Sequence, residues 1–150
     1  MTTATLRINC EPAGQPRVKA TSRGGFVKIY TPWKTPGGKK AKRFRDAVAA
    51  EALYEAPPTP IDSAVRVTIT LWMPRPKPLL TKNAPEGELP HTSKPDIDNI
   101  AKLILDGISD CGRMWVDDRL VTELVVKKQY TSKGGEAAAW VVIEALEREE

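Results

Sequence analysis

The chain has 150 residues, 41% of them hydrophobic and 28% charged, with a formal net charge of +4. That is one domain, 1–150, large enough to bury a real core. No apolar run reaches the roughly 18 residues of a membrane span. The start, MTTATLRINCEP, has no basic stretch before an apolar block, so no signal peptide is read. Two cysteines, Cys10 and Cys111, exclude a disulfide framework and predict free thiols in a reducing cytoplasm.

The charge is uneven. Residues 1–50 hold eleven Lys/Arg against two acids, a net of +9, and residues 51–150 hold twelve against seventeen, a net of −5. A basic third with a separate acidic cluster points to a polyanion partner plus a cation site. A solvated charged face is the plain alternative.

Thr5–Cys10 reads as a short strand with Leu6, Ile8 and Cys10 on one face. Residues 17–31, RVKATSRGGFVKIYT, read as a basic hairpin around Ser22-Arg23-Gly24-Gly25. Pro36-Gly37-Gly38 breaks the chain. A helix from Lys40 to Glu55 follows, with Phe44, Val48, Ala49 and Leu53 as its apolar stripe. Ala56-Pro57-Pro58-Thr59-Pro60 ends it. Val65–Met73 alternates cleanly as a strand. Residues 74–93 hold five prolines and no period, a long loop that is either functional or mobile. A helix over 97–109 carries the stripe Ile97, Ala101, Ile104, Leu105 and Ile108. After a turn at Gly112 come the strands Val121–Tyr130 and Ala138–Ala145, joined by Lys133-Gly134-Gly135. The order βββαβαββ predicts an α+β domain of the mixed α/β kind, with two main helices and hairpins in the sheet.

The chemistry concentrates in KPDIDNIAKLILDG, Lys94 to Gly107. Asp96 and Asp98 stand two apart where the helix starts, so their carboxylates can converge. One aspartate there is explained as a cap. Two repel unless a cation sits between them, and a hard ion such as Mg²⁺, or Mn²⁺, suits an oxygen site. The doublet Asp117-Asp118 offers a third carboxylate if the return loop brings it back beside the first two. Only one of that doublet needs to face a site. Lys102, one turn after Asp98, reads as a surface salt bridge or as a cation for a phosphate. Acids, lysine and a basic surface fit metal-assisted phosphodiester hydrolysis.

The run KPDIDNIAKLILDGISDCGRMWVDDRLV resembles the signature of the RusA family of Holliday junction resolvases, of the prophage type. The basic hairpin and the closing SKGG turn are similar to the family more loosely. The resemblance implies Asp96, Asp98 and Asp118 as catalytic metal ligands and Lys102 as the catalytic lysine, with Asp117 a weaker candidate. It implies a Mg²⁺-dependent endonuclease that cuts four-way DNA junctions in pairs, leaves 5′-phosphate and 3′-hydroxyl ends, and works as a homodimer in recombination and repair. Segment 77–93 is longer than in the shortest members, as a junction-contacting loop or a tolerated insertion.

Arg17, Lys19, Arg23, Lys28, Lys39, Lys40, Lys42 and Arg43 are the expected DNA-backbone contacts. His91 stands near the site, in the proline-rich loop. Of the four tryptophans, Trp72, on the polar face of its strand, is the best interface candidate. The rival readings are a metal nuclease for flaps, forks or RNA, and a non-catalytic DNA-binding protein whose aspartates are caps and turns.

Overall fold

The computed structural model describes residues 2–146. In chain order it forms β1 (Thr2–Ile8), the ribbon strands β2 (Lys19–Arg23) and β3 (Phe26–Tyr30), α1 (Pro36–Glu55), β4 (Val65–Met73), β5 (Leu89–Pro90), α2 (Ile97–Asp110), β6 (Val121–Tyr130) and β7 (Ala138–Ala145). Single 3-10 turns lie at Lys77–Leu80 and Asp118–Leu120. The main sheet has the order β1-β7-β4-β6-β5, and β2-β3 is a separate two-stranded ribbon. β4 runs parallel to β6, and the other pairs are antiparallel. This is the mixed-sheet, two-helix domain expected.

The alternation of β4 sets the layers. Val65, Val67, Ile69, Leu71 and Met73 are buried under the helices, whereas Arg66, Thr68, Thr70 and Trp72 lie half-buried on the opposite face. Leu6 and Ile8 from β1, and Ala139, Val141 and Ile143 from β7, complete the covered face. On the open face Trp72 and Trp140 pack with ring centroids 6.4 Å apart, and Arg7 lies over Trp140.

Several elements differ from the sequence expectation. β1 begins at Thr2 and ends at Ile8, so Cys10 is half-buried beyond it. Pro36-Gly37-Gly38 is the first turn of α1 and not a break. Proline fits there because its missing N–H is unpaired in any case. Thr35 caps the turn by accepting from Gly38 N at 3.0 Å. A Cβ on Gly38 would meet Pro32 O at 2.0 Å, so the glycine allows a close approach. The buried line of α1 is Gly38, Ala41, Phe44, Val48 and Ala52, and Leu53 is 52% exposed. On α2 it is Ile100, Ala101, Leu103, Ile104, Gly107 and Ile108, with Ile97 39% exposed. The two helices meet where a Cβ on Gly107 would lie 3.0 Å from Val48. At that seam Arg45 clasps Asp110 through two bonds of 2.6 and 3.0 Å.

The proline-rich loop after β4 is built around one side chain. Arg75 is 8% exposed. Its Nε donates to Thr131 O at 2.7 Å. Nη1 donates to Leu79 O at 2.8 Å and Pro85 O at 2.7 Å, and Nη2 to Glu86 O at 3.4 Å and to Gly87 O. All five guanidinium donors thus have carbonyl partners. Glu88 adds a second anchor by accepting from Trp72 Nε1 at 3.0 Å and Gln129 Nε2 at 2.6 Å. Arg75→Met strands these carbonyls and lowers stability by about 2 kcal/mol or more. A lower urea midpoint together with faster proteolysis within residues 76–90 is the expected result.

Candidate active site

α2 starts on the chain segment that leaves this loop. Asp96 is its N-cap residue, with φ −68° and ψ 146°, yet its side chain makes no capping hydrogen bond. Asp98, in the first turn, and Lys102 are exposed and, among the described residues, stand outside every ion pair. Neither ordinary explanation therefore holds here: the first aspartate does not cap, and the i,i+4 salt bridge is not formed.

Two open hollows meet at Asp96. One, of about 360 Å³, is lined by Gly14, Gln15, Arg17, Lys40, Lys94 and Asn99. The other is lined by His91, Thr92, Ser93, Lys94, Ile97 and Lys128. The loop after β1 reaches the site because Gln15 N donates to Asn99 O at 3.2 Å and Gly14 packs on Pro95. That contact brings Arg17 beside α2. Among the described residues Gln15 Oε1 is buried without a partner, as is His91 Nδ1. His91 rests on the Tyr130 ring at 4.5 Å. Burial, with the charge of Lys128 beside it, holds its pKa below the ordinary histidine value.

The third expected carboxylate lies elsewhere. Asp117 accepts from Arg119 N at 2.8 Å and caps the 3-10 turn. Asp118 is exposed, and loss of hydration, the Asp117 side chain and the charges of Asp117 and Asp106 raise its pKa. That turn packs on α2. Asp98, Lys102 and Asp106 share one face of α2 at four-residue spacing, with Asp118 near the last of them. Asp96 and Asp106 are separated by about 15 Å of helix axis. Within one chain, then, Asp96 stands at the N-cap position of α2 and Asp98 lies in its first turn, while Asp118 lies toward the other end of α2. Among the described residues no three acidic, histidine or cysteine side chains form a metal-sized group.

Among the described residues the exposed Asp96 and Asp98 carboxylates make no capping bond and no ion pair. Free carboxylate oxygens are the donor type that fits a hard divalent cation. Sequence reasoning named Arg17 and Lys40 but missed Gln15, Lys94, Asn99 and Lys128. Of these Lys94 and Asn99 carried a signal, their places in the run KPDIDN.

The expected phosphate contacts fall into groups. Lys19, Arg23 and Lys28 lie on the ribbon, whose ten strand residues are all exposed. The register puts them on one face with Phe26 and Tyr30. Lys39, Lys42 and Arg43 are exposed on α1. Lys40 pairs with Glu11 at 2.7 Å and Lys42 with Asp46 at 3.0 Å.

The two aspartate turns predict opposite responses. Asp96→Ala changes stability by less than about 0.5 kcal/mol, because no capping bond is lost, whereas Asp117→Ala costs about 1 kcal/mol. Urea unfolding of both variants, without added metal, checks this.

The family model for endodeoxyribonuclease RusA matches residues 9–139. An uncharacterized protein of Bacillus subtilis (strain 168), YqaN, is 30% identical over 128 residues, which is 82% of this chain and 84% of that protein. The family match takes in the basic ribbon, both helices, the Asp96–Lys102 turn and the Asp117-Asp118 doublet. The chain therefore belongs to the RusA family of endodeoxyribonucleases, junction-binding phosphodiester hydrolases that resolve Holliday junctions and in general depend on a divalent metal.

Proposed function

We propose that this protein is a Mg²⁺-dependent, structure-selective endonuclease that resolves four-way DNA junctions by two symmetric cuts, acting as a homodimer. The observation that carries the reading is the start of α2: Asp96 and Asp98, free of capping and ion pairing among the described residues, with Asp96 lining a hollow shared with Arg17, Lys40 and Lys94. Asp96, Asp98 and Asp118 are the proposed ligands of the ion, with Mn²⁺ as a substitute. When bound, the ion supplies Lewis-acid stabilisation of the phosphoryl charge and eases ionisation of the attacking water.

The chain's own groups do the rest. Lys102, one turn up from Asp98, presents its ammonium to the developing charge on the scissile phosphate. Arg17, Lys40 and Lys94 hold that phosphate in the hollow, and the N-terminus of α2 adds a favourable dipole. Lys19, Arg23 and Lys28 on the ribbon, with Lys39, Lys42 and Arg43 on α1, hold the duplex arms without reading bases.

The homodimer also solves the ligand problem. Asp118 stands too far along α2 to share an ion with Asp96 of its own chain. In a two-fold dimer the set closes when Asp118 of one copy meets Asp96 and Asp98 of the other. Two unlike inactive variants then repair each other. Asp98→Asn mixed with Asp118→Asn forms heterodimers with one intact site, so cleavage returns on mixing. Mixtures that stay as inactive as either variant alone place all three ligands in one chain.

The decisive test of the function uses Asp98→Asn on one junction substrate. Asparagine caps a helix about as well as aspartate. A capping role therefore leaves cleavage near wild type, which would sink the metal-site reading. The proposed role predicts cleavage lower by orders of magnitude. Junction binding survives and falls steeply with salt, as a backbone-contacting surface requires. Linear duplex, flap, fork and RNA substrates in the same series separate a junction resolvase from a general metal nuclease.

A further inference from the structure

Among the described residues Asp96 has no side-chain bond to orient it, so the backbone must. Two hydrogen bonds fix the peptide planes on either side of its Cα. On the helix side, Asp96 O accepts from Ile100 N at 3.2 Å. On the entering side, the Pro95–Asp96 peptide presents Pro95 O to Lys128 Nζ at 2.7 Å. The same ammonium donates to Ser93 O at 2.8 Å. With both planes fixed, only the side-chain torsions of Asp96 remain free.

Lys128 is well placed for this. On β6 it pairs with Leu71 of β4, whose side chain is buried toward the helices. Lys128 therefore points to the helix side of the sheet, beneath the start of α2, and is half-buried there. Its own carbonyl accepts from His91 N at 3.3 Å, which ties the end of the proline-rich loop to the same strand position. Two of its three N–H donors are spent on carbonyls, so it is poorly disposed to grip a phosphate as its neighbour Lys94 can. Outer partners of this kind orient a ligand without touching the ion, and their loss typically weakens metal affinity or activity about 10- to 100-fold.

We propose that Lys128 is a positioning residue for the Asp96 carboxylate, fixing the peptide plane through which the chain enters the ligand pair. The proposal rests on the reading of Asp96 as a metal ligand. Its test uses Lys128→Met, which keeps the stem and removes the donors, and Lys128→Arg, which restores them. Lys128→Gln, with a single short donor group, stands in if the methionine variant fails to fold.

Three readouts on the full chain decide the matter. Backbone hydrogen exchange over residues 93–98, without metal or DNA, speeds up in Lys128→Met and recovers in Lys128→Arg. Mn²⁺ affinity by calorimetry falls about 10- to 100-fold in the methionine variant and is recovered at least in part by arginine. Junction cleavage at saturating DNA falls with it, while junction affinity stays at the wild-type value. Unchanged exchange and Mn²⁺ affinity overturn the proposal. So does a loss of junction affinity with turnover at saturation intact, which makes Lys128 a phosphate contact. If wild-type protein binds Mn²⁺ but cuts no junction, the function reading fails separately, and exchange with Mn²⁺ affinity still decides the role of Lys128.

Discussion

β4 and β6 lie side by side and parallel, and a parallel pair cannot be closed by a tight turn. The chain must leave the end of β4 at Met73 and travel back over the sheet before β6 can begin at Val121. Everything chemically interesting is on that crossing. Its outward leg is the proline-rich loop, which delivers the chain to Asp96 above the carboxyl ends of β4 and β6, where Lys128 waits. This is the end of a parallel pair at which ligand sites tend to form. The return leg is α2, and its far end hands the chain to the Asp117-Asp118 turn at the start of β6. One constraint of sheet topology thus separates the acidic residues into two groups, one at each end of a helix.

The aspartates show how residue type underdetermines role. Asp96 and Asp117 both precede a helical turn. Asp117 spends its carboxylate on Arg119 N and becomes local structure. Asp96 leaves its carboxylate free, and the backbone bonds around it do the work that a cap would do. The cations lining its hollows, Arg17, Lys40, Lys94 and Lys128, and the positive end of α2 surround that free carboxylate without bonding it.

Much of the fold was legible because one face of the sheet is buried. Burial under the helices forces the strict alternation of β4, and β4, β6 and β7 have the ends their patterns give. The helices were harder. Apolar spacing reveals a stripe but not its phase, which is set by what lies beneath. On α2 that is the sheet and α1, so Ile100 and Leu103 turned inward and Ile97 outward. The start of α1 was hidden because Gly38 is needed for its approach to Pro32 and Trp33, a contact no local rule contains. In the site, the helix start at Asp96 was visible in sequence. The i,i+2 spacing would turn Asp98 to the same side only in an extended segment, and there the chain is already helical. The distance to Asp118 depends on which end of α2 the chain returns to. Lys128 was invisible for a related reason: in a strand reading KKQY, nothing distinguishes a solvated lysine from one that grips two carbonyls.

The way Arg75 holds the loop has a consequence for how such a chain can diverge. Its five partners are all main-chain oxygens, which every residue type supplies equally. The side chains of residues 77–87 are therefore largely free of the duty of keeping the loop in shape. They can drift, provided the arginine stays and the backbone retains its path. A segment that looks unpatterned in one sequence is, on this account, one whose shape is specified from outside itself, and its surface is open to selection for whatever it faces.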